Sequence, residues 1–185
     1  LCQLIPVKDR IALGSQKLFE QRFRPIREKI NYQSLRTYIT NTTKAAYKIF
    51  IIWTILIAVL GILYYSGMIG EIFLLMTSIV FYVCDLICVL IWCPFRLIMK
   101  NKCCTTCRIF NWDHLMMFTP LVFVDGFYAR SLLLMSVTAW LVWEVSVMLY
   151  PERFWEFSNE ALKCINCTDK LCTQYCQKLK KIKKV

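Results

Sequence analysis

"IFIIWTILIAVLGILYY", residues 49–65, runs for seventeen residues without a charged side chain. A helix rises 1.5 Å per residue, so a run of about this length begins to cover a hydrocarbon core of roughly 30 Å. Two further blocks behave alike. Residues 72–94, "IFLLMTSIVFYVCDLICVLIWCP", contain Asp85 as their one charge, and residues 131–150, "SLLLMSVTAWLVWEVSVMLY", contain only Glu144. The chain is 58% apolar and 19% charged, and this blockwise distribution points to an all-α integral membrane protein rather than a water-soluble domain. The first block lies more than forty residues in, so it does not read as a cleaved signal peptide.

Between the second and third blocks, "RIFNWDHLMMFTPLVFVDG" (108–126) is harder to place. Its apolar part is short for a crossing, and Pro120 is tolerated in membrane helices as well as in loops. Charge decides the preference. Residues 1–48 carry ten Lys or Arg against three acids, the loop 95–108 is basic, and the tail from Pro151 carries eight basic residues. The connections 66–71 and 125–130 hold almost none. The positive-inside rule then puts both termini and the middle loop in the cytosol of a multi-pass cell-membrane protein. Segments on one side need an even number of crossings between them. Four transmembrane helices are therefore favoured, at roughly 47–66, 71–94, 109–125 and 129–150. Three helices plus a re-entrant segment is the alternative.

The chain divides into a basic lead-in (1–46), a helical bundle with its cysteine loop (47–150), and a basic tail (151–185). In the lead-in, Phe19, Phe23, Ile26 and Ile30 recur at helical spacing among basic residues. This predicts an amphipathic helix lying on anionic lipid head groups, or one packed on other cytosolic parts; Pro25 interrupts the pattern. The net charge of +11 flanks membrane spans and comes with no nucleic-acid motif, so no nucleic-acid partner is inferred.

Seven of the eleven cysteines form two clusters: Cys103, Cys104 and Cys107 in the middle loop, and Cys164, Cys167, Cys172 and Cys176 in the tail. Each cluster contains C-x-x-C, and the topology brings both to the same side. Two such pairs supply four thiolates for a tetrahedral metal site built from Cys104, Cys107, Cys164 and Cys167, with Cys103 and Cys172 in reserve. Zinc is the favoured ion and an iron–sulfur cluster the alternative. A reducing cytosol argues against disulfides. Cys84 and Cys88, one turn apart, read as small apolar packing residues.

Ionisable groups within a membrane are costly. Asp85, Asp113, His114 and Glu144 all fall in the inner half of the bilayer, within reach of one polar pocket that could hold a cofactor or cation. The competing reading is structural, with the acids paired to Arg96 or Arg108. The runs "CCTTCRIFNWDHLMMFTP" (103–120) and "YPERFWEFSNEALKCINCTDKLC" (150–172) resemble a family of small uncharacterised bacterial integral membrane proteins, over about residues 93–172. That resemblance implies inner-membrane residence and treats the cysteines as a unit; it implies no activity. The leading expectation is a scaffold that binds an unidentified protein partner through a metal-stapled cytosolic face. A membrane redox protein serving a lipid-soluble electron carrier comes second, and a small cation or proton transporter third.

Overall fold

Asn31 starts the first long helix. Its side-chain oxygen accepts the backbone N–H groups of Gln33 and Ser34 at 3.1 and 3.2 Å, satisfying donors that helix geometry leaves without partners. From this cap α1 runs over Tyr32–Tyr65, 34 residues, or about 51 Å, well beyond a hydrocarbon thickness of about 30 Å. The sequence reading began this helix near residue 47. The cap and the polar turns after it carry it fifteen residues further toward the N-terminus. The computed structural model describes residues 15–20, 23–26, 30–100 and 106–163.

Two further long helices follow, α2 (Glu71–Leu90) and α5 (Phe127–Leu149). Pro94 and the turn before it end α2 four residues short of the expected boundary. Ile91 and Trp92 both donate back to the Ile87 carbonyl, at 2.8 and 3.1 Å, as the helix unwinds. A short helix, α3 (Phe95–Met99), comes next. Helices α1, α2 and α5, with mean hydropathies of 2.3, 2.4 and 1.9 over their most apolar windows, are long and apolar enough to cross a membrane. Ile52 and Ile55 on α1, Met76 and Ile79 on α2, and Leu134 and Met148 on α5 all point outward and are exposed. In water such continuous apolar surface would drive association.

The segment between α3 and α5 is helical but broken. A 3-10 turn (Ile109–Asn111), a six-residue helix α4 (Asp113–Phe118) and a second 3-10 turn (Thr119–Phe123) follow one another. This segment packs against all three long helices. Its contacts climb α1 in register. Phe50 meets Trp112 edge-on with ring centroids 5.9 Å apart, the Trp53 indole N–H donates to Thr119 Oγ1 at 3.0 Å, and Phe123 lies against Tyr64 and Tyr65. Positions 50 to 64 of α1 span roughly 21 Å, and residues 112 to 123 advance beside them in the same direction.

Small residues make this approach possible. Ala46 and Gly61 on α1, Ser78 on α2, and Ala129 and Ser136 on α5 are buried, as expected where helices meet without a hydrophobic driving force between them. Gly61 is the extreme case: a Cβ there would lie 2.6 Å from the Phe123 ring.

The flanks of the bundle meet each other. Pro25 and Asn159 form an antiparallel bridge, the Glu160 N–H donates to the Arg24 carbonyl at 2.8 Å, and the Ile26 N–H donates to Ser158 O at 3.3 Å. The described residues 23–26 are therefore non-helical, where an amphipathic helix carrying Phe23 and Ile26 was expected. Proline lacks the N–H a helix interior requires and disfavours helical backbone before it. The described part of the lead-in packs on the segment after α5.

Candidate functional site

The C-terminal half of α2 places Cys84, Asp85 and Cys88 on or beside one face, and the break after Leu90 brings Cys93 beneath them. Together they line a cavity of about 230 Å³. Trp53, Phe81 and Phe95 close it on one side, and Phe110, Asp113, Met116 and Met117 of the central segment close it on the other. The wall is apolar apart from its sulfurs and two carboxylates. Cys88 and Cys93 line the same cavity, and Cys84, Cys88, Cys93 and Cys107 are all free, not in disulfides.

Of the four ionisable residues expected to share a pocket, three gather and one does not. Asp85 and Asp113 line the cavity, and His114 Nδ1 lies 2.6 Å from Asp113 Oδ1. The same carboxylate oxygen also accepts the His114 backbone N–H at 2.6 Å, which fixes its direction at the start of α4. Glu144 belongs elsewhere. Its Oε2 lies 2.5 Å from the Arg108 guanidinium and its Oε1 accepts the Trp112 indole N–H at 2.7 Å. Both charged side chains of that pair are largely buried, at 10% and 17% exposure, so Glu144 acts as a structural counter-ion. A buried charge is tolerable only when paired and hydrogen-bonded, and Arg108, directly after the cysteine loop, supplies the partner.

Of the expected metal ligands, Cys103, Cys104, Cys164, Cys167 and Cys172 lie outside the described residues. Cys107 is described and buried, in an apolar cluster with Ala46, Ile49, Met99 and Trp112. Burial pushes its thiol up, opposed by the nearby backbone N–H groups of Ile109 and Phe110. Those two donors, following directly on the second cysteine of "CTTC", are the kind of support that orients a thiolate toward a metal. Among the described residues, no three His, Cys, Asp or Glu side chains converge closely enough to hold a metal ion.

The second polar centre lies where the flanks meet. Lys17 is 2% exposed, with its ammonium 6.0 Å from the ring centroids of both Trp143 and Phe154. Arg153 donates to the Leu18 carbonyl at 3.2 Å and lies 3.5 Å from Glu20. Asn159, 2% exposed, is the hub. Its Oδ1 accepts from the backbone of Arg24 and Ala161, and its Nδ2 donates to Arg153 O. Sequence reasoning missed this centre because a lone Asn and a lone Lys, some 140 positions apart, carry no periodic signal.

Comparison of the chain with protein-family models, with curated proteins and with solved structures gives no match in any of the three. The functional reading rests on the residues themselves.

Proposed function

We propose that this protein is a four-crossing membrane scaffold that presents a stapled cytosolic face to a protein partner. The observation carrying this reading is the backbone pairing of residues 24–26 with 158–160. Segments bonded to each other lie on the same side of a membrane, so an even number of crossings separates them. Three long helices make an odd number. The central segment 109–123, which advances beside α1 from Phe50 to Tyr65, supplies the fourth. The basic flanks then place that side in the cytosol, against anionic lipid head groups.

The staple is a thiolate zinc site of Cys104, Cys107, Cys164 and Cys167. Cys107, buried against Ala46, Ile49, Met99 and Trp112 with the Ile109 and Phe110 backbone N–H groups nearby, supports it. Zinc closed by four thiolates contributes folding energy and has no open position for substrate, which fits a scaffold better than an enzyme. The test is metal analysis of detergent-purified protein. About one zinc per chain, lost when Cys104 and Cys167 become serine, supports the staple. A brown protein containing iron and labile sulfide would replace it with an iron–sulfur centre and favour the redox reading. Metal-free protein with an unaltered fold would remove it.

A further inference from the structure

The cavity beneath the end of α2 is lined by an unusual number of sulfur atoms. Cys84, Cys88, Cys93 and Cys107 contribute thiols, and Met116 and Met117 contribute thioethers. No histidine lines it. Two of the thiols, on Cys88 and Cys93, come from opposite sides of the break that ends α2 and line the same cavity. Cys88 lies in the last turn of α2, while Cys93 lies past the break, buried, with Pro94 directly after it. The pair is therefore held by two different backbone elements facing each other.

We propose that Cys88 and Cys93, with Met116 and Met117 beside them, bind a cuprous ion in this cavity. Thiolate and thioether sulfur are the donors that select Cu(I) over harder ions. A cuprous ion needs only two or three donors, whereas zinc needs four. The described residues offer no convergent set of three His, Cys, Asp or Glu side chains, so a tetrahedral divalent ion is not served by this cavity. Charge points the same way. One thiolate neutralises the single positive charge, so the complex adds no net charge to a largely apolar wall that already holds Asp85 and Asp113. The ion displaces one thiol proton, which leaves to solvent, and the second sulfur stays a neutral donor. This site uses none of the zinc staple's tail ligands and leaves Cys107, which lines the same cavity, to the staple.

The test begins with the unaltered protein in detergent under anaerobic conditions. Cuprous ion is supplied from a chromophoric Cu(I) chelate, and alkylation by a membrane-permeant maleimide is mapped by peptide mass. Cuprous ion should slow alkylation of Cys88 and Cys93 at least tenfold, while Zn²⁺ leaves both rates unchanged. Equal protection by the two ions, or none by copper, overturns the proposal. A second arm uses protein in which Cys2, Cys103, Cys104, Cys164, Cys167, Cys172 and Cys176 are serine. It should withhold one cuprous equivalent from the chelate, and X-ray absorption should show a sulfur first shell. Cys93→Ser should weaken retention at least tenfold, whereas Cys84→Ala should change it less than twofold. A nitrogen- or oxygen-dominated shell, or equal losses for Cys84→Ala and Cys93→Ser, would also overturn it. Failure of the zinc staple shows as metal-free protein with Cys88 and Cys93 still protected by copper, so the two readings fail independently.

Discussion

Trp112 donates its indole N–H to one oxygen of Glu144 at 2.7 Å, while Arg108 holds the other. A single carboxylate on α5 thus ties down the start of the central segment at two points one helical turn apart. Removing one member of a buried pair leaves the other charge without compensation, which typically costs about 3–5 kcal/mol. Glu144→Ala should lower thermal stability in detergent by that order. Glu144→Gln keeps an acceptor for Trp112 and should cost less. Arg108→Met combined with Glu144→Leu should recover much of the loss. A double variant as unstable as Glu144→Ala would show that the pair does more than balance charge.

Gly61 gives a second prediction. Its missing side chain is the space the Phe123 ring occupies. Gly61→Val should displace that ring from its place beside Tyr64 and Tyr65 and cost about 1–3 kcal/mol, the usual cost of overpacking. Phe123→Ala in the same chain should return part of it. Melting temperatures of the two single variants and the double provide the check; strictly additive losses would refute the steric account.

At the other end, Asn159→Ala leaves the Arg24 and Ala161 N–H groups and the Arg153 carbonyl without their side-chain partner. Buried polar groups left unsatisfied cost about 1–3 kcal/mol. Residues 17–20 and 23–26 should release first, so tryptic cutting after Lys17 should accelerate several-fold while the bundle keeps its melting temperature. Unchanged cutting would mean that the backbone bridge alone holds them.

Crossing number has a direct readout. In a background without native cysteines, Ser66→Cys and Tyr128→Cys should react with an impermeant maleimide added outside intact cells, and Val185→Cys should not. Protection of the cysteine at position 128 would return the central segment to a re-entrant hairpin.

The three long helices were legible because uninterrupted apolar blocks need no tertiary information. The N-terminal reach of α1 was not, since residues 32–46 are polar and their helicity depends on the Asn31 cap. Pairing of Glu144 with Arg108 was among the readings the sequence offered, yet charge alone could not separate it from a shared pocket with Asp85. The lead-in misled for a physical reason. Phe19, Phe23, Ile26 and Ile30 have helical spacing, but Pro25 breaks a helix and the bridge to Asn159 holds the backbone there instead. Cys84 and Cys88 were read as packing residues, and their spacing alone gave no hint that Cys93 would fold back to join them around a cavity.

The way the long helices share the central segment bears on how the chain is made. Helices α1 and α2 touch through the Trp53–Phe81 ring pair and the Tyr64–Glu71 hydrogen bond, with most of their packing reserved for residues that follow. As the ribosome delivers the chain, two helices long and apolar enough to cross a membrane emerge with only these contacts between them. The last-arriving partners, residues 109–123 and α5, complete the assembly together. A chain halted after α3 would thus lack the segment against which all three long helices pack.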